Sequence, residues 1–236
     1  MSTASGEVES HRLSMAMENY LLSIARLGER GVKVTVAQLA EHFKVLPSAE
    51  GLGTSLPSVS AMIGRMRREE LVIITRDKEI SLTDLGGYCA ASILRRHRLA
   101  ERLVVDMLGV ELKLAHQEAH RLEHAISPYL EDKILEVLDH PTTCPFGHPI
   151  PGSSYVVPSG MLTLDCAEMH IPYVIERVPE DDQDLLEYFV DNDFLPDRSV
   201  IVKESSKSRG IITLECSGNE LVFGYDISIL IWLRPK

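Results

Sequence analysis

At 236 residues, 44% of them hydrophobic, the chain has room for one large or two to three small domains and the composition of an ordinary soluble globular protein. Its formal net charge of -11 argues against a simple nucleic-acid binder, and no run approaches the ~20 apolar residues a membrane span needs. The average hides a division: residues 1–78 carry ten Lys/Arg against nine Asp/Glu, whereas residues 165–236 carry seven against fifteen, so DNA binding is permitted at one end and implausible at the other.

Residues 1–13 lack the charged-then-apolar layout of a secretory signal and read as a short disordered arm. Residues 14–29 place Met17, Leu21, Ile24, Ala25 and Leu27 at helical spacing. A second helix over 36–44 follows Thr35, a fair N-cap, and turns Leu39, Ala40 and Phe43 inward. LPSAEGLG is a run of loop formers. A third helix over 57–69 begins after the cap Ser55 with Pro57 in its first turn, where a missing N–H costs nothing. LVIIT and ISLT around a charged tip read as a hairpin. Helix, helix, helix, hairpin is the winged helix-turn-helix order, with 57–69 as recognition helix. The first unit therefore spans 14–84. Ser55, Pro57, Ser58 and Ser60 open the recognition helix, and Arg65, Arg67, Arg68, Arg76 and Lys78 are candidates for phosphate contact.

Residues 85–140 are helical, broken at Gly109, with a last helix capped by Ser127 and opened by Pro128. These amphipathic helices have apolar area to spare, as a homodimer interface would. TTCPFGHPIPGSSYVVPSG reads as a Pro/Gly linker, so a boundary falls within 141–165. Beyond it, at 166–236, YVIERV, SVIVKES, GIITLEC and ELVFGY are short β-rich runs with one helix near 181–190. The expectation is a small five-strand SH3-like barrel, and the whole chain is expected to be multidomain and mainly α. Cys89, Cys144, Cys166 and Cys216 are scattered singly, without C-x-x-C, which fits a reducing cytoplasm.

The chemistry concentrates in AHQEAHRLEHAI. At about 100° per residue, His116, His120, Glu123 and His124 fall within roughly a quarter turn of one helical face. Three imidazoles and a carboxylate on one stripe do not enter an apolar core without a partner, and a divalent metal suits both donor types. His97 and Glu101 form a second i, i+4 pair. The bland alternative for each is a solvated helix face.

RRHRLAERLVVDMLGVE, EAHRLEHAIS and CPFGHPIPG, in that order, resemble the diphtheria toxin repressor family of iron- and manganese-dependent regulators. The likeness runs over nearly the whole chain from about Ser14. It implies a winged-helix domain, a helical metal-binding and dimerisation domain and a flexibly tethered SH3-like domain, in a dimer that binds double-stranded operator DNA when loaded with metal. By the same resemblance His97, Glu101 and His116 belong to an ancillary site, with Glu180 and Gln183 as further ligands and Cys144 matching a thiolate of manganese-type members. The primary site falls on His120, Glu123, His124 and Asn19. Iron-type members have Cys and Met where His120 and Asn19 stand, and manganese-type members have Glu and Asp, so neither pattern is reproduced. A primary set without thiolate or thioether is hard, which favours Mn(II) over Fe(II) as the runner-up. A cation shared by the first helix and the dimer domain would fix the spacing of two recognition helices, which must meet major grooves about 34 Å apart.

Two other readings compete. His120-Arg121-Leu122-Glu123-His124 is also H-x-x-E-H, an inverted zinc-peptidase signature, although no third-ligand helix or large catalytic domain accompanies it. Cys144 alone would support a thiol-based redox regulator. The favoured reading has no membrane and no small-molecule substrate among its partners and is not an enzyme.

Overall fold

The computed structural model describes residues 13–46 and 52–236; residues 1–12 of the expected arm and residues 47–51 of the LPSAEGLG stretch lie outside the described residues. Helix α1 (Met15–Glu29) is capped by Ser14, α2 (Val36–Val45) by Thr35 and α3 (Leu56–Arg68) by Ser55. Each cap oxygen accepts from the backbone N–H three residues on, at 3.3–3.4 Å, satisfying a donor that the first turn leaves open. Strands β1 (Val72–Ile74) and β2 (Ile80–Leu82) pair antiparallel. Apolar faces of α1, α2 and α3 meet in one core with β1 and the start of the next helix, and Tyr20 meets Phe43 edge-on within it.

Helix α4 (Asp84–Arg102) is capped by Thr83 and packs so closely on the connection between α3 and β1 that a Cβ at Gly86 would come within 1.8 Å of the Leu71 carbonyl oxygen. Glycine is therefore required there. A π-helical turn (Leu103–Met107) ends the rod, and Gly109 at φ +68° reverses the chain. Helices α5 (Ala115–Glu123) and α6 (Pro128–Val137, capped by Ser127) follow. Leu99, Ala100, Ala119, Ile126, Ile134 and Ile150 close a small core between α4, α5 and α6.

The C-terminal part is a single antiparallel sheet. Its strands are β3 (Leu162–Thr163), β4 (Pro172–Arg177), β5 (Ser199–Ser206), β6 (Ile211–Cys216), β7 (Asn219–Gly224) and β8 (Trp232–Pro235). Helix α7 (Gln183–Asp191) links β4 to β5, and the short α8 (Tyr225–Ser228) precedes β8. The order is β3-β8-β4-β5-β6-β7. This differs from the expected five-strand barrel: there are six strands, and among the described residues the edges β3 and β7 do not pair. The last strand inserts beside β4, a long-range pairing that local alternation does not specify.

The Pro/Gly stretch read as a linker is packed where it leaves the helices. Cys144, Phe146 and Ile150 are fully buried, and Cys144 and Phe146 join the sheet core together with Val104 and Ala115 of the helical part. Gly147 has φ +87° and lies so near β4 that a Cβ would fall 1.8 Å from the Glu176 carbonyl oxygen. The sheet thereby docks on the helices through apolar contact.

Candidate metal centre

His97 is the hub. It sits on α4, wholly buried, and both ring nitrogens are engaged. Nδ1 makes a short hydrogen bond with Glu123 Oε2 of α5. Nε2 lies 2.9 Å from Glu101 Oε1, one turn along α4, and 3.2 Å from His116 Nδ1 at the start of α5. The i, i+4 spacing seen in the sequence is thus a buried contact, and the solvated-face alternative does not hold for this pair. Burial pushes the His97 imidazolium down and Arg26 adds to that, but Glu101 and Glu123 outweigh both and hold it up at about 9. Burial raises the Glu123 carboxyl, and His97 with His120 more than reverse this, leaving it well below the usual carboxylate range.

On one side of His97 lies the junction with α1. Glu123 Oε1 stands 3.0 Å from His120 Nδ1 and 3.3 Å from His124 Nε2. His124 turns its Nδ1 to Glu18 Oε2 of α1 at 2.6 Å. Arg96 ties the corner together: it donates to Glu18 Oε1 at 2.8 Å and to the Glu123 carbonyl at 3.2 Å. Asn19, also on α1, is buried. Asn19 Oδ1 is buried without a hydrogen-bond partner, and the buried Glu123 Oε1 and His124 Nε2 find only each other and His120. Such atoms are costly to leave unsatisfied. All three are first-row metal donors, and no thiol or thioether is among them.

On the other side, Glu101 Oε1 also lies 3.1 Å from His116 Nδ1. His97, Glu101, His116 and Glu180 bring ligand atoms within 4.8 Å of one another, as do His97, His120 and Glu123. The first group has an intruder. Arg26 of α1 donates to Glu180 at 2.9 Å and Asp181 at 3.0 Å, and its Nη1 lies 3.4 Å from His116 Nε2. Arg30 makes a second, short ion pair with Asp181. The junction between α1 and α5 fits a metal, because it sets the unpartnered Asn19 Oδ1 beside Glu123, His120 and His124 while Arg96 is occupied by Glu18. The other side also has an unpartnered oxygen, Glu101 Oε2, but there Arg26 already holds Glu180 and Asp181.

Two expected ligands stand apart. Gln183 donates to the Lys113 carbonyl at 3.0 Å and to Glu187 at 2.9 Å, while its Oε1 accepts from Gln117 at 3.3 Å. Cys144 is buried with Sγ 3.8 Å from Glu180 Oε2, and burial, Glu101 and Glu180 push its thiol well above the ordinary range. A protonated, inaccessible thiol is the opposite of a redox sensor's reactive thiolate. The peptidase alternative fares no better: Glu123 is wholly buried against His97 and His120, closed off from solvent.

In the winged helix, Ser55, Pro57, Ser58 and Ser60 are exposed at the start of α3, and Arg65, Arg67 and Arg68 are exposed along its last turns. Arg65 pairs with Glu69 at 3.1 Å. Arg76 and Lys78 project at the hairpin tip, Lys78 with φ +61°. The sequence reading missed Glu18, Arg26, Arg96 and Asp181. The one available signal was position: Glu18 adjoins Asn19, and Arg26 follows Asn19 by two helical turns, on the same face.

Residues 12–80 match the family model described as iron dependent repressor, N-terminal DNA binding domain, and residues 83–152 match its metal binding and dimerisation domain. The iron-dependent repressor IdeR of Mycobacterium leprae (strain TN) is 34% identical over 210 residues, covering 84% of this chain and 87% of that protein. IdeR of Mycobacterium tuberculosis (strain ATCC 25618 / H37Rv) is 42% identical over 135 residues, covering 57% of this chain; the match spans about half of that relative, 55%. A solved manganese-dependent transcriptional repressor in complex with manganese superposes with a TM-score of 0.80 at 28% identity, over 93% of this chain and all of that one. With a relative this similar over most of both chains, and with both family domains matched in order, the chain belongs to the iron-dependent repressor family.

Proposed function

We propose that the protein is a homodimeric, metal-activated transcriptional repressor that binds operator DNA through α3 and the β1–β2 wing. The observation that carries this is the cluster of buried metal-type donors where α1 of the DNA-binding domain meets α5: the unpartnered Asn19 Oδ1 beside Glu123, His120 and His124, with His97 on the far oxygen of Glu123. A divalent cation bound there supplies two positive charges and a coordination shell. His120, Glu123 and His124 would hold it from α5, His97 from α4 and Asn19 from α1.

The chain's own residues do the rest. Glu18 accepts the Nδ1 proton of His124, which leaves Nε2 as the ligating nitrogen. Arg96 holds Glu18 and the Glu123 backbone in register. Because α1 is packed into the same core as α3, fixing α1 against α4 and α5 fixes the recognition helix relative to the dimer domain. Tyr88 of α4 and Tyr129, Leu130 and Val137 of α6 are exposed apolar groups suited to the dimer contact. An all-nitrogen-and-oxygen donor set with a protonated Cys144 outside it favours Mn(II), with Fe(II) second. The C-terminal sheet is read as the family's SH3-like domain in open form.

The decisive experiment is fluorescence anisotropy of a DNA library fragment selected by the protein in Mn(II), repeated with chelator. Metal-dependent binding is expected, and DNA affinity indifferent to chelator would refute the proposal.

A further inference from the structure

We infer that Glu101, His116, Arg26, Glu180 and Asp181 form in this chain not a second metal site but an arginine-closed hydrogen-bond relay. It runs from the metal ligand His97 to the C-terminal sheet domain, and each protomer therefore takes one tightly bound metal ion. This rests on the proposal that metal binds where α1 meets α5.

The donors and acceptors line up in one sense only. A neutral imidazole carries a single N–H. If His97 ligates through Nδ1, beside Glu123, its Nε2–H donates to Glu101 Oε1 at 2.9 Å. The same oxygen accepts from His116 Nδ1–H at 3.1 Å, and sharing it brings the two nitrogens to 3.2 Å. His116 Nε2 then carries a lone pair and faces Arg26 Nη1 at 3.4 Å. Arg26 passes the chain on to Asp181 at 3.0 Å and Glu180 at 2.9 Å, in the segment between β4 and α7. Arg30 fixes Asp181 from its other oxygen, and Glu180 Oε2 is met by His148 at 3.3 Å.

A dication that took Glu180 as a ligand would have to displace or tolerate that guanidinium, which holds Glu180 Oε1 and Asp181 Oδ1 and faces His116 Nε2. Arg26 is buried, so water does not screen it. It stays charged: burial lowers its pKa, but Asp181 and Glu180 raise it further. Arg26 already supplies the positive charge that would otherwise draw a metal to these acids. Among the described residues, Glu101 Oε2 is a buried acceptor on this side without a hydrogen-bond partner, the atom a second ion would use if Arg26 were gone.

The test is the Mn(II) stoichiometry of the full-length protein by equilibrium dialysis, with anomalous scattering to place the ions. Wild type is expected to hold one ion per protomer, at His120, Glu123 and His124. Arg26→Gln is expected to hold two, with second-site affinity raised at least tenfold, and Arg26→Lys to remain at one. Two tight ions in the wild type, an ion seen among Glu101, His116 and Glu180, or an Arg26→Gln protein that stays at one would overturn the relay. Should Arg26→Gln fail to fold by circular dichroism, the wild-type count and ion position decide alone. A wild type that takes no manganese overturns the metal reading itself and the relay with it, an outcome separate from a count of two.

Discussion

Glu18 is the side chain through which α1 already touches the metal-ligating helix, and its replacement separates bracing from metal chemistry. Glu18 accepts from His124 Nδ1 at 2.6 Å and from Arg96 at 2.8 Å. Charge-assisted hydrogen bonds contribute ~1.5–3 kcal/mol each. The Glu18 side chain retains 16% exposure, so the lower end applies. Glu18→Ala should then cost the metal-free protein about 2–3 kcal/mol, or a fall in Tm of about 5–10 °C at this chain length. Glu18→Gln keeps an acceptor and should cost under about 1 kcal/mol. Both variants lose the carboxylate that orients His124, and partners of this kind are worth ~10–100-fold in metal affinity, about 1.4–2.7 kcal/mol. The assay is Mn(II) calorimetry beside thermal melts in chelator. The reasoning fails if Glu18→Gln binds manganese within twofold of wild type. The pH sign is also fixed. Burial raises the Glu18 carboxyl, but His124 and Arg96 bring it below its ordinary 4.5. The stability gap between wild type and Glu18→Gln should be full above about pH 4.5 and close as the pH falls below it.

Three further outcomes are expected. Because His97 in the metal-free protein keeps its second proton up to about pH 9, metal uptake at pH 7 must expel it; calorimetry in buffers of different ionisation enthalpy should show proton release and an affinity that climbs with pH towards 9, and binding without proton release would contradict this. Arg67→Ala, Arg76→Ala and Lys78→Ala should each reduce the salt slope of DNA binding by about 1 while weakening all sequences alike; an unchanged slope removes that residue from the interface. Gly147→Ala combines a positive φ with a clash against the Glu176 carbonyl and should destabilise by at least about 2 kcal/mol; a thermal melt matching wild type would show that the CPFGHP turn yields freely.

What could be read from the sequence was local. Thr35, Ser55 and Ser127 act within three residues of themselves, and the stripe of His116, His120, Glu123 and His124 follows from helical period alone. The unread part is long-range. His97 and Glu101 read as a pair of their own, yet His97 reaches Glu123 across 26 residues and merges two expected sites at one imidazole. Arg26 looks like a solvated charge until Glu180 and Asp181, more than 150 residues away, account for its burial. Composition marked 141–160 as Pro/Gly-rich but could not reveal that Phe146 fills the sheet core. The place of β8 inside the sheet depends on non-local pairing in the same way.

Helix α1 carries three loads, and their spacing is what would let the proposed ion govern DNA binding. Its apolar face, including Leu21 and Ile24, belongs to the core that holds α3. Glu18 and Asn19 face the donors of α5, and Arg26 and Arg30 grip the C-terminal domain two turns further on. Fifteen residues make α1 a rod of about 22 Å. If its metal-side end is released, a swing of about 10° about the end held by Arg26 and Arg30 shifts the released end by about 4 Å, which exceeds the 3.4 Å rise of one base pair. In a two-fold dimer both halves move, so the recognition helices miss the ~34 Å groove repeat by up to twice that amount. Spin labels on the exposed face of α3 should therefore report a narrow inter-subunit distance with Mn(II) and a distribution broader by several ångströms with chelator. In Arg26→Gln, which keeps the α1–α5 donors, the narrow distance should return with metal. Equal widths in the two states would mean that the cation acts on charge alone and not on the angle of α1.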